Sequence, residues 1–189
     1  MKNLTDRLQG LAARLRERAR GRRANVPAQR SGPEPVTYVR QLMTGNPRAC
    51  GPADTAHDAA RIMWDTDCGC VPVVDADGRV VAMITDRDIC MAAYTQGKPL
   101  GEIPVSSAAS RSLVAAREGD TLQTALDAMR HARVRRLPVI DAGGRPVGVL
   151  SWSDLVRHVH LGPRGSGGEA ERLTSTFAAI CERKRADLS

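Results

Sequence analysis

The sequence predicts an α/β (α+β) protein. It should consist of two β-α-β-β-α units packed about an approximate two-fold axis, flanked by a basic N-terminal arm and a C-terminal helix. Three observations carry this. Asp54, Thr55, Ala59, Met63, Pro72, Val73, Asp75, Gly78, Arg79, Val81 and Asp88 recur 66 positions later as Asp120, Thr121, Ala125, Met129, Pro138, Val139, Asp141, Gly144, Arg145, Val147 and Asp154. Each copy holds two short apolar runs around an Asp-to-Gly turn, the signature of a β-hairpin. The charge is confined to one end: residues 1–40 hold ten Lys and Arg against three Asp and Glu, whereas residues 41–189 hold 18 of each. A unit of this size buries little apolar surface alone, so the two copies should pack on each other and place a ligand pocket at their seam.

The arm comes first. Leu4, Leu8, Leu11 and Leu15 form a helical stripe followed by Arg14, Arg16, Arg18, Arg20, Arg22 and Arg23. Two heptads are too few for an independent coiled coil. Pro27, Gly32, Pro33 and Pro35 then mark a linker, so 1–35 reads as arm and linker, dispensable for folding.

The first repeat, 36–98, should open with a strand over Val39 to Met43. Asp54 would cap a helix with apolar Ala59, Ala60, Ile62 and Met63; a hairpin follows, of strands Cys70 to Val74 and Val80 to Ile84 around Asp75 to Gly78. A helix from Thr85 stops at Gly97. The second repeat, 99–160, should give strand Leu113 to Ala115, a helix from Asp120 with Gln123 completing a capping box, strands Arg135 to Ile140 and Pro146 to Leu150, and a helix from Ser151. In 161–189, Leu161 to Gly168 reads as a Gly-rich linker. The last helix, from Glu169 to Lys184, would dock through Leu173, Phe177 and Ile180.

Each hairpin ends on a hydroxyl followed three residues later by a carboxylate: Thr85 with Asp88, and Ser151 with Asp154. A capping box accounts for this without a ligand. The same positions can also serve a nucleotide, through helix N–H groups and hydroxyls for a phosphate and a carboxylate for a ribose diol.

The arrangement of the two units, with VPVVDADGRVVAMITDRDI and its twin LPVIDAGGRPVGVLSWSDL, resembles a tandem pair of cystathionine-β-synthase (CBS) domains, the Bateman module, over residues 36–160. The resemblance implies a regulatory module binding adenosyl ligands such as AMP, ADP, ATP or S-adenosylmethionine between the repeats, with no cofactor required. By position it makes Asp88 and Asp154 the ribose carboxylates and Thr85 and Ser151 their hydroxyl neighbours. Arg135 and Arg136 become the phosphate cations. The first repeat has Gly69 and Cys70 where the second has those arginines, and Ala82 where the second has Gly148, which would crowd a ligand on that side. Thr85, Asp88, Arg135 and Arg136 are therefore expected to form the stronger site, and Ser151 and Asp154 the weaker. The resemblance also implies a homodimer, for which Ile89 and Leu155 are candidate contact residues.

Other readings are weaker. Cys68 and Cys70, with His57 and His131, fall short of a structural zinc spacing. Cys50 and Cys90 read as small buried hydrophobes, and His158 and His160 as partners of a helix C-terminal dipole. Trp64 reads as interface or core, and Trp152 sits at the mouth of the expected cleft. Nothing clusters as a nucleophile with its base, so catalysis is not expected. The five cysteines and the lack of a roughly 20-residue apolar run point to a cytoplasmic protein with reduced thiols. The rival to ligand sensing is an adaptor with empty clefts that binds a partner protein or anionic surface through its termini. Nucleic-acid or membrane contact is expected at most through residues 1–23.

Overall fold

The computed structural model describes residues 36–110, 112–161 and 167–181. The expected basic arm lies outside them, as do residues 162–166 of the expected linker and the expected end of the last helix at Lys184.

Six strands and six helices alternate along the described chain: β1 (Thr44–Gly45), α1 (Ala56–Asp65), β2 (Cys70–Val74), β3 (Val80–Thr85), α2 (Asp86–Gln96), α3 (Val105–Ala108), β4 (Ala116–Arg117), α4 (Leu122–Ala132), β5 (Arg136–Ile140), β6 (Pro146–Ser151), α5 (Trp152–Leu161) and α6 (Gly167–Cys181). One sheet has the order β1-β6-β5-β4, the other is the β2-β3 hairpin. Both hairpins turn where Gly78 and Gly144 adopt positive φ, and Asp75 and Asp141 accept the N–H of Arg79 (2.9 Å) and of Arg145 (2.8 Å). Gly is suited to that conformation because it lacks Cβ. Even the irregularities repeat, with register shifts at Val73/Val74 and at Val139/Ile140.

The approximate two-fold is visible in the backbone bridges. Tyr38 pairs with Thr121, and Pro104 pairs with Thr55; moving the first pair along by 66 gives the second with the halves exchanged. The lead segment of each repeat is thus tied to the body of the other. Val39 is buried in a core with Ala116, Leu122, Leu126, Met129, Leu137, Leu150 and Leu155, while Ile103 and Val105 join Ala59, Ile62, Val71, Val73 and Ile84. Removing one of these lead side chains would cost the core of the other repeat, which it enters. A buried large-to-small change costs about 2–5 kcal/mol, and here it also loosens the seam.

Several expectations are corrected. Val39 to Met43 is not a strand: Val39–Gln41 is a 3₁₀ turn, and pairing starts at Thr44. The apolar spacing of three to four there suits a single turn whose Val39 reaches the second core. Pairing in the second repeat occurs at Ala116–Arg117 rather than Leu113 to Ala115, set by the parallel register of Ala116 on Val139. The caps lie one residue later than expected, at Thr55 and Thr121. Asp54 and Asp120 instead fold back to accept the N–H of Gly51 (2.7 Å) and of Arg117 (2.8 Å). Gln123 donates to Asp127 rather than completing a box.

Ile89 and Leu155, expected at a dimer contact, are 7% and 0% exposed and belong to the chain's own cores. Trp64 is 88% exposed, not core, and Cys90 is exposed rather than buried. His158 does more than meet a dipole: its Nε2 lies 3.6 Å from a Glu169 carboxylate oxygen on α6. Helix α6 docks as expected, with Leu173 buried, Ile180 packed on the second core and Phe177 stacked on Trp152 at 4.8 Å.

Candidate functional site

Two clefts flank the seam, and their walls correspond at the 66-residue offset. The first has a volume of about 430 Å3. It is lined by the loop from Thr44 to Arg48, the turn Thr66 to Cys70, and Arg136, Ser151, Ser153, Asp154 and Arg157. The second, about 260 Å3, is lined by Thr85 to Asp88, Ser110, Ser112 and the segment Arg133 to Arg136. The six residues expected at a site therefore divide as Thr85, Asp88 and Arg135 in the smaller cleft and Ser151 and Asp154 in the larger. Arg136 lines both.

The carboxylates are held by their own helix caps. Asp88 Oδ2 accepts the N–H of Thr85 (2.9 Å) and its hydroxyl (2.7 Å), while Thr85 Oγ1 accepts the N–H of Asp88 (3.2 Å). Asp154 Oδ2 accepts the N–H and hydroxyl of Ser151 in the same manner, at 2.8 and 2.5 Å. These boxes occupy one oxygen of each carboxylate and both capacities of each hydroxyl.

The next N–H groups are also used: Asp86 donates to the Gly69 carbonyl (3.3 Å) and Trp152 to the Arg135 carbonyl (3.0 Å). The arginines that line the clefts offer charged donors for a phosphate. The second carboxylate oxygens differ. Asp154 Oδ1 accepts long hydrogen bonds from Thr44 Oγ1 (3.5 Å) and Arg157 (3.4 Å); Asp88 Oδ1 accepts none among the described residues.

Arg136 reaches the larger cleft because of a glycine. One guanidinium nitrogen lies 2.7 Å from where a Cβ on Gly69 would sit, and an Asp86 carboxylate oxygen 3.1 Å from it, so any side chain at 69 would displace one of them. Gly148 serves packing instead. A Cβ there would meet Met43 Sδ at 2.5 Å, so the space is filled by Met43 and not kept for a ligand. At the equivalent place in the first repeat Ala82 and Ala109 pack on the core, a small pair in place of Met43 with glycine.

Sequence reasoning missed Thr44, Asn46, Arg48, Ser153 and Arg157. Ser153 and Arg157 were legible as neighbours of Asp154 on the α5 helix start; the others were not, because strand β1 brings its loop to the cleft only by pairing with β6, Thr44 opposite Val149.

The cysteine chemistry is quiet. Burial pushes the thiols of Cys70 and Cys50 up to about 11, so both stay protonated at neutral pH, and the Arg136 charge only partly offsets this for Cys70. Cys68 Sγ donates to the Cys70 carbonyl at 3.1 Å. Among the described residues no group of three His, Cys, Asp or Glu side chains converges as metal ligands, and no helix is long and apolar enough to cross a membrane.

The family model of the CBS domain matches residues 39–94 and again 102–161. The CBS domain-containing protein YhcV of Bacillus subtilis is 34% identical over 120 residues, 64% of this chain and 84% of that protein. The crystal structure of Hypoxic Response Protein I with two coordinated zinc ions superposes with a TM-score of 0.59 at 30% identity, covering 65% of this chain and 98% of the other. The CBS domain pair of protein MJ0100, in complex with 5′-methylthioadenosine and S-adenosyl-L-methionine, superposes with a TM-score of 0.61 at 24% identity, over 67% of this chain and 98% of that one, and shares the fold. The match on both repeats, together with the exchanged lead segments and the paired clefts, places this chain in the CBS domain family as a tandem pair.

Proposed function

We propose that this CBS pair is a regulatory sensor that binds a phosphorylated or otherwise charged adenosyl ligand (AMP, ADP, ATP or S-adenosylmethionine), and that the cleft at Asp154 is its principal site. The observation that carries the proposal is the composition of that cleft. A carboxylate already oriented by its cap, the hydroxyls of Thr44 and Ser153, and the guanidinium groups of Arg48, Arg136 and Arg157 line a volume of about 430 Å3.

A ribose diol suits the carboxylate, the arginines suit a phosphate, and Pro47, Cys70 and Val149 offer apolar surface for a base. The preference departs from the sequence expectation, which favoured Asp88. The Asp88 cleft, at about 260 Å3, falls below the ~300–1,000 Å3 usual for ligand pockets, and Arg136 is shared rather than committed to it.

The larger cleft draws Cys68, Gly69 and Cys70 from one body and Ser151, Ser153, Asp154 and Arg157 from the other. A ligand there would bridge the bodies, and this supports signalling through a change in their packing. Calorimetry and thermal melts with adenosine, AMP, ATP and S-adenosylmethionine test the reading. At 100-fold excess over Kd a ligand of the folded state stabilises it by about 2.7 kcal/mol. If no adenosyl compound moves the melting temperature at millimolar concentration, the sensing reading is lost and the adaptor reading replaces it.

A further inference from the structure

The turn from helix to strand delivers different charges to the two clefts. Between α1 and β2 it places Asp67, Gly69 and Cys70 on the wall of the larger cleft, and between α4 and β5, 66 residues later, it places Arg133, Arg135 and Arg136 on the wall of the smaller. Asp67 and Arg133 both take a left-handed backbone, at φ 49° and 54°, so the two turns follow a similar path and differ in their side chains. Arg87, at the start of α2, adds a fourth guanidinium to the smaller cleft, where the larger has Ser153.

These cations are not spoken for. In the larger cleft Arg48 pairs with Asp65 and Arg157 with Asp154, each at 3.4 Å. In the smaller cleft Arg87, Arg133, Arg135 and Arg136 face only the carboxylates of Asp86 and Asp88, and among the described residues none of the four guanidinium groups is in an ion pair or a side-chain hydrogen bond. Arginine stays protonated in proteins, so four guanidinium groups around one concavity make a field that favours a multiply charged anion, and each can bind two oxygens at once. A volume of about 260 Å3 accommodates a small one.

We infer that the smaller cleft is an anion site in its own right, taking a small multiply charged phosphate such as inorganic pyrophosphate through Arg87, Arg133, Arg135 and Arg136. Its filling opposes phosphate binding in the larger cleft, because Arg136 lines both and one guanidinium cannot serve two anions on opposite sides. The antagonism rests on the proposed adenosyl site; the anion site does not.

Calorimetry on the full chain tests both parts. Inorganic pyrophosphate alone should bind once per chain, and Arg133→Ala and Arg135→Ala, at exposed positions, should each weaken it about tenfold or more, the range for one charged hydrogen bond. With pyrophosphate present, the Kd for AMP should rise several-fold and then level off, as for two linked sites, while adenosine binds equally with and without it. In Arg136→Ala the AMP affinity should no longer respond to pyrophosphate. Absence of pyrophosphate binding at millimolar concentration, normal pyrophosphate affinity in the Arg133 and Arg135 variants, or a larger loss for AMP than for pyrophosphate in them overturns the anion site. A rise in the AMP Kd that never levels off means one shared site and overturns it too. If AMP itself does not bind, the sensing reading and the antagonism have failed, and the pyrophosphate titrations alone decide the anion site.

Discussion

The Asp154 and Asp88 clefts are made from matching elements 66 residues apart, yet they differ in size and charge because of a few substitutions at equivalent positions. Gly69 in one wall leaves room for Arg136 to lean over it, whereas the equivalent Arg135 fills its own position. Arg157 follows Asp154 by three residues where Met91 follows Asp88. A residue that looks like a missing phosphate ligand in one repeat thus creates the opening through which the other repeat supplies a cation. The lesson is that the paired sites should be compared as spaces, since what a glycine omits can matter as much as what an arginine adds.

The largest expected effect breaks the comparison at its carboxylates. Asp154→Ala should abolish ligand-induced stabilisation, a loss of about 2.7 kcal/mol at 100-fold excess over Kd, while Asp88→Ala should retain most of it in the same thermal melts. Both variants also lose a helix-cap interaction worth about 1 kcal/mol, so ligand-free melts serve as the reference. Equal loss in the two variants would mean that the clefts act as one.

Next comes the packing difference. Gly148→Ala should destabilise by about 1–3 kcal/mol, because its new methyl meets Met43 Sδ. Met43→Ala in the same chain should recover much of that, since it recreates the Ala109 and Ala82 pair of the first repeat. Urea denaturation of the two single variants and the double variant gives the coupling energy, and strict additivity would remove the explanation.

A smaller effect tests the shared cation. Arg136→Ala should weaken AMP binding by about 1.5–3 kcal/mol, the range for a charged hydrogen bond, and leave adenosine unchanged by calorimetry. Gly69→Arg should have the same sign, through displacement of that guanidinium.

The smallest effect concerns the thiols. Cys68 and Cys90 should alkylate at pH 8 while Cys50 and Cys70, with thiols near 11, stay protected until the protein unfolds. A folded-state value above the usual 9.0 favours the neutral thiol, so this contribution to stability is complete below pH 9 and fades as pH rises toward about 11. Urea midpoints that stay flat across that window would contradict the burial account.

Much of this was legible in the chain because it is local. The repeat offset, the hairpins with Gly78 and Gly144, the stop at Gly97 and the pairing of Thr85 with Asp88 follow from backbone preferences and short hydrogen bonds, which depend on neighbours in sequence. The docking stripe of Leu173, Phe177 and Ile180 was readable for the same reason, as a helical period.

The exchange of lead segments was not readable. Tyr38 lies on Thr121 and Pro104 on Thr55 through isolated bridges between segments remote in sequence, and that exchange accompanies the approach of Thr44, Asn46 and Arg48 to the Asp154 cleft. Burial of Ile89 and Leu155, exposure of Trp64, and the direction of Arg136 likewise depend on which surfaces meet. Local patterns choose the elements, because the hydrogen bonds that define them are short-range. Only tertiary packing decides which side chains share a cleft, because that contact is made between segments with no common local signal.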